Sequence, residues 1–189
     1  IGRLSRIEAQ IELRSEYGVP FTRSNDELQA SIKNTLALRL VTQPDKYYVF
    51  EAIADPRGKS TRTITTTSEG NTVSKVETNK LAFNDMKFSA QFAKRYYWIT
   101  LRFGIIENTG GLGINLHTLE DQLEVRFDAF DFSRRDPDKG EIILPRLRVS
   151  ALYEFYNHLS LQVGIDDPLN HNLRTWFVGG VLRFTDKDL

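Results

Sequence analysis

Apolar and polar residues alternate with a period of two along nearly the whole chain, the spacing of strands whose two faces meet different surroundings. Ile7, Ala9, Ile11 and Leu13 alternate with Glu8, Gln10, Glu12 and Arg14. After a polar stretch holding Gly18, Pro20 and Asn25, Ile32, Leu36, Leu38 and Leu40 are set against Lys33, Thr35 and Arg39. Gln43-Pro44-Asp45-Lys46 is a turn signal that closes this hairpin. Tyr47 to Ala54 reads as a third strand, apolar on both faces apart from Glu51, and runs into Asp55-Pro56-Arg57-Gly58.

The rhythm returns with Met86, Phe88, Ala90 and Phe92, and a short turn is expected at Ala93 to Arg95. The strand from Tyr97 presents Ile99, Leu101, Phe103 and Ile105, and Asn108-Thr109-Gly110-Gly111 turns it back into Leu112, Ile114 and Leu116. Leu123, Val125, Phe127 and Ala129 follow, set against Glu124, Arg126 and Asp128. Three more strands carry Leu147, Val149, Ala151 and Tyr153; Leu159, Leu161, Val163 and Ile165; and Trp176, Val178, Leu182 and Phe184. The Thr-rich region at 59–84 reads as an extra hairpin or one long loop. The class is all-β, with no amphipathic helix, and the count is about 10–12 strands.

A soluble sandwich or lipocalin-like barrel alternates in the same way, so other features must decide. Several strands look about ten residues long, and crossing a bilayer at a tilt takes about 9–11. Connections alternate between short and long, as in bacterial outer-membrane barrels, the Asn108 turn being the exception. Aromatic residues gather at strand ends in two sets. Tyr47, Tyr48, Tyr96, Tyr97, Trp98, Phe155, Tyr156 and Phe184 fall at the short-turn end, and Tyr17, Phe21, Phe130, Phe132 and Trp176 at the other. The expected fold is a closed antiparallel transmembrane β-barrel of outer-membrane type, since a spanning sheet can leave no open edge in hydrocarbon.

Composition narrows the chemistry. The 189 residues hold 25 Lys plus Arg and 25 Asp plus Glu, so no global basic or acidic surface marks a nucleic-acid partner. The absence of cysteine removes disulfides, thiolate metal sites and cysteine nucleophiles. No apolar run reaches the about 18 residues of a spanning helix, so a membrane role would need strands. The chain opens Ile-Gly-Arg, which reads as a fragment or an ordered portion of something longer.

On this reading the apolar rows face lipid: Ile7, Ile11, Leu38, Leu101, Phe103, Val125, Phe127, Val149, Leu161 and Val178. The polar rows line a lumen: Glu8, Glu12, Arg14, Lys33, Arg39, Arg102, Glu124, Arg126, Arg146, Arg148 and Glu154. Both signs are interleaved there, so the row is either a paired-charge plug or a means of tuning solute passage. Other constellations are weak. His117, His158 and His171 are scattered, Asp136, Asp138, Gly140 and Glu141 lack the remaining ligands of a calcium loop, and Gly110-Gly111-Leu112-Gly113 is followed by neither lysine nor helix and reads as a turn. No nucleophile elbow is present, and the chain reads as a non-enzyme without metal or other cofactor.

The segments PDKYYVFEAIADPRG, ITLRFGIIENTGGLG, FDAFDFSRRD and VGIDDPLN, with WFVGGVLRFTDKDL, together resemble the C-terminal barrel region of MCE (MlaD-like) envelope lipid-transport proteins. The resemblance covers nearly the whole chain and implies an upstream MCE domain through which the parent protein forms a homo-oligomer. It implies a membrane anchor and exit for phospholipid or other apolar cargo, with a small general porin or structural outer-membrane barrel as the alternative and a soluble lipid-binding barrel as a third reading. The end of the chain also resembles the bacterial barrel-assembly signal, in which Gly179, Leu182 and Phe184 match, although five residues follow Phe184. The expected partners are outer-membrane lipids and the barrel-assembly machinery. The expected location is the bacterial outer membrane, with short turns and C-terminus on the periplasmic side.

Overall fold

A computed structural model describes residues 7–21, 31–55, 60–69, 72–81, 85–134, 144–170 and 173–186. Ten strands close into one antiparallel barrel: β1 (Glu8–Pro20), β2 (Ser31–Gln43), β3 (Lys46–Asp55), β6 (Asp85–Tyr96), β7 (Ile99–Ile106), β8 (Thr109–Thr118), β9 (Leu123–Phe130), β10 (Arg146–Tyr156), β11 (Leu159–Asp166) and β12 (Thr175–Thr185). The Thr-rich segment forms a separate two-stranded sheet, β4 (Ser60–Glu69) with β5 (Thr72–Leu81). It is a hairpin inserted in the β3–β6 connection, and β3 pairs directly with β6, so the wall holds ten strands and not twelve.

Closure is made by the chain's two ends. β1 pairs with β12 in unbroken register from Gln10↔Thr185 to Pro20↔Thr175, and with β2 from Glu8↔Val41 to Gly18↔Ser31. Every wall strand thus has two neighbours, so the wall itself offers no open edge as a template for edge-to-edge aggregation.

At one end of the barrel, here the turn end, the connections are short: Pro44-Asp45, Tyr97-Trp98, Leu119 to Gln122, and Asn157-His158. The opposite, or loop, end carries the long connections and one tight one, Glu107-Asn108, whose φ angles of 47° and 68° make the left-handed turn.

Three local expectations shift. β1 continues through Gly18 to Pro20 instead of stopping at the polar stretch. The β6–β7 turn lies at Tyr97-Trp98 and not at Ala93 to Arg95, because Ala93 fits the crowded interior with no exposure and the alternation runs on through Lys94 and Tyr96. Gly110 to Gly113 are strand residues of β8, not a turn. Glycine serves there by its size: a Cβ on Gly113 would lie 2.6 Å from Asp128 Oδ1 and 2.8 Å from an Arg102 nitrogen, and those side chains fill the space.

Candidate functional site

The barrel turns the usual distribution of a soluble protein inside out. Side chains alternate in and out along each strand, and it is the charged rows that point inward. Among the buried residues are Glu12, Glu16, Lys33, Arg102, Glu124, Arg126 and Arg148. Large apolar side chains stand exposed on the outside, among them Leu13, Leu36, Phe103, Leu112 and Val178.

The structure places all the residues read as lumen-lining on the inward face. Glu12, Arg14, Glu124, Arg126 and Arg102 meet in the half near the turn end, Lys33, Arg146 and Arg148 gather near the loop end, and Glu8, Arg39 and Glu154 lie toward the turn-end rim. The residues read as lipid-facing lie on the outward rows, where Ile7, Ile11, Leu38, Leu101, Phe103, Phe127, Leu161 and Val178 are exposed and Val125 and Val149 are half-buried. Of the suggested assembly signal, Leu182 and Phe184 point outward and Gly179 faces in.

The interior is cross-linked by ion pairs between strands that are not neighbours. Near the loop end the carboxylate of Glu107, delivered by the β7–β8 turn, meets Lys33, Lys87 at 3.0 Å, Arg146 at 3.2 Å and Arg148 at 3.9 Å. Arg146 also binds Asp166, and Arg148 binds Glu16 across the barrel. Burial pushes the Glu107 carboxyl up, but the surrounding cations, Lys33 foremost and then Arg146, hold it well below the usual carboxylate range.

In the other half Glu12 is shared by Arg14 at 2.9 Å, Arg183 at 3.1 Å and Arg126 at 3.6 Å. Glu124 accepts from Arg126 at 2.9 Å and from Asn115 at 2.6 Å. Arg102 donates to Asn115 and Gln91, both at 2.8 Å, and to Asp128 at 2.5 Å. The buried charges Glu12, Arg102, Glu124 and Arg126 are thereby each met by an opposite one, the condition under which such burial is tolerated.

A small apolar patch, Tyr47, Val49 and Ala93 with Val41 against it, lines the wall of β2, β3 and β6 on the inside. Tyr47 and Phe130 are therefore corrections to the aromatic sets. Tyr47 is 7% and Phe130 2% exposed, both inside, because their neighbours in the alternation, Tyr48 and Ala129, take the outer positions. The other named aromatics are exposed: Tyr48, Tyr96, Tyr97, Trp98, Phe155, Tyr156 and Phe184 at the turn end, Tyr17, Phe21, Phe132 and Trp176 at the loop end.

Sequence reasoning missed Glu16, Lys87, Glu107, Asp166 and Arg183 as interior partners. Carrying the alternation two residues further along β1 finds Glu16, and following it along β6, β11 and β12 finds Lys87, Asp166 and Arg183. Glu107 belongs to a turn and no periodicity marks it. Among the described residues no group of acidic, His or Cys side chains could hold a metal ion; His117 is bonded to Thr100 at 2.9 Å, and His171 and the loop Asp136, Asp138, Gly140 and Glu141 lie outside the described residues.

A cavity of ≈ 20 Å³ among the arginines of the turn-end half has room for about one water-sized species and for no lipid. Outside, a concavity of ≈ 600 Å³ is lined by Leu36, Leu38, Phe50, Ala52, Phe88 and Ile105 on adjacent strands.

A ten-stranded antiparallel barrel with a polar, ion-paired interior and an apolar outer face is thus the class that fold and site define. The chain belongs to a family of lipocalin-like domains, whose model matches residues 10–189. It is 34% identical over 161 residues to an uncharacterized protein of Aquifex aeolicus (strain VF5), an alignment covering 83% of this chain and 47% of that protein. The chain thus spans about half the length of that relative. No solved structure matches.

These matches correct the resemblance to MCE proteins: the family is lipocalin-like, and neither match points to an MCE or MlaD-like protein. The function drawn from that resemblance, an anchor and exit for MCE-type lipid transport, falls with it, and the porin alternative gains no support from the family. The segments that suggested the kinship, such as ITLRFGIIENTGGLG, are barrel strands and tight turns, whose composition follows from strand geometry and does not by itself mark a family.

Proposed function

We propose that this barrel is a lipid-embedded, non-conducting domain whose apolar ligand is the acyl chains of a bilayer, taken on its outer wall instead of in its interior. The observation that carries the reading is the partition itself: ion pairs occupy the inside, where the cavity among the arginines holds ≈ 20 Å³, while the outside offers apolar side chains on every wall strand. A water-soluble barrel would leave this apolar surface facing water, far beyond the few hundred Å² that monomers ordinarily expose.

Seven of the ten wall strands have the length a tilted crossing takes, about 9–11 residues or more: β1 and β2 have 13, β6 has 12, β10 and β12 have 11, β3 and β8 have 10, whereas β7, β9 and β11 have 8. The exposed aromatics at both barrel ends suit the two interfaces, where rings find one apolar and one wet side. A bacterial outer membrane, with the short turns on the periplasmic side, is the location this geometry favours. The reading assigns the barrel no catalysis and no cofactor.

The test is made on the purified chain. With lipids brominated along the acyl chains, Trp98 and Trp176 are expected to be quenched most by bromines near the headgroups, and the chain is expected to need detergent or lipid to stay monodisperse. In planar bilayers it should give no unitary currents. A folded, monodisperse chain in plain buffer, unquenched by vesicles, would overturn the reading.

The family description favours a second reading, a soluble barrel that holds one apolar molecule. In this chain the outer concavity beside Ala52, and not the interior, would have to receive it. Stoichiometric binding of a fatty acid by the monodisperse protein in plain buffer would support that reading instead.

A further inference from the structure

The ≈ 20 Å³ cavity in the turn-end half of the interior is lined by Arg14, Arg39, Arg102, Arg126 and Arg183, against two carboxylates, Glu12 and Glu51. Two further carboxylates touch these arginines from outside the lining, Glu124 on Arg126 and Asp128 on Arg102. Among the described residues, five guanidinium groups therefore meet four carboxylates. Glu8 and Glu154 face the same interior but do not line the cavity.

The excess is located at particular atoms. Arg39 lies over the Tyr47 ring at 4.5 Å and makes no ion pair among the described residues. Arg14 donates from one terminal nitrogen to Glu12 at 2.9 Å and to Glu51 at 3.1 Å, and its buried Nε has no hydrogen-bond partner. Arg39, half-buried and beyond ion-pair distance of every described carboxylate, and the unused buried donor of Arg14 flank the same partly open space, and an anion there would offset the unpaired charge and donor better than a neutral water. The volume admits about one small sphere, which excludes phosphate, carboxylates and lipid headgroups.

We propose that this cavity is a binding site for a single monatomic anion, a chloride ion in ordinary solution, held by Arg14 and Arg39. The ion completes the charge balance of the turn-end network and locks β1 to β2 from the inside. The proposal does not depend on what covers the outer wall.

The full chain, kept folded in detergent or buffer, is crystallised with sodium bromide and diffraction is recorded at the bromine edge. One anomalous peak is expected in the cavity, within hydrogen-bonding reach of Arg14 Nε; a cavity without one overturns the proposal. Thermal unfolding is then compared in sodium chloride and sodium gluconate at equal ionic strength. The midpoint is expected to be a few degrees higher in chloride, with the difference abolished in Arg39→Gln. A bromide peak without any chloride-specific stabilisation would make it an adventitious ion only, and a difference that survives in Arg39→Gln would make it a general salt effect; either result overturns the proposal.

Discussion

Glu16 on β1 and Arg148 on β10 form an ion pair across the barrel, between strands that share no backbone hydrogen bonds. The side chains are 3% and 9% exposed, so neither charge has water to fall back on. Glu16→Ala should therefore destabilise the fold by about 3–5 kcal/mol, since Arg148 would be left buried without its principal partner. Replacing both, as Glu16→Leu with Arg148→Met, should recover most of that loss. Denaturant unfolding of the single and double variants measures the coupling, and additive losses would show that the pair does not act as a unit.

Gly179 and Gly180 are adjacent on β12 and should respond differently to alanine. A Cβ on Gly179 would lie 2.3 Å from the Ser15 carbonyl oxygen, whereas one on Gly180 would meet nothing within 4 Å. Gly179→Ala should cost about 1–3 kcal/mol through forced movement of β1, and Gly180→Ala should be close to neutral. Equal effects in the same unfolding measurement would remove the close approach as the reason for glycine at position 179.

Leu13 is exposed on the outer wall near the middle of β1 and is paired with Leu36 and Leu182. If the wall faces hydrocarbon, Leu13→Arg should destabilise the barrel in liposomes by about 2–4 kcal/mol. In water the same change at a surface position should stay within about 0.5 kcal/mol. Folding titrations in lipid vesicles separate the two.

Glu107 sits in the β7–β8 turn, outside the strands, with its carboxyl held well below the usual range. A carboxylate whose folded pKa is depressed contributes stability that is present above its unfolded value of about 4.3 and disappears as pH falls through the folded value. Unfolding free energy should thus decline with acidification below about pH 4, and Glu107→Gln should be less stable than wild type at neutral pH while losing part of that decline. Chemical unfolding of both proteins between neutral and acid pH checks this.

Much of the site was legible along the chain. The rows from Glu8 to Arg14 and from Glu124 to Asp128 needed only period two to be sorted onto a common face, because the pleat admits no other arrangement. Tyr47 was harder: β3 is apolar on both faces, so its sequence does not say which side is inner until Glu51 and the pairing with β2 fix it. The family was not legible at all from short segments, since strands and tight turns of any barrel draw on the same residues.

By itself, the sequence determined an all-β chain in which most strands carry one charged and one apolar face. Only the tertiary structure decided that ten strands close and that Ser60–Glu69 and Thr72–Leu81 stand outside the wall, because strand pairing joins residues far apart in the chain. It alone brought Glu16 to Arg148 and four cations to the carboxylate of Glu107. Alternation tells each side chain which face it takes. Which opposite charge it meets there depends on the curvature that brings distant strands to a common interior.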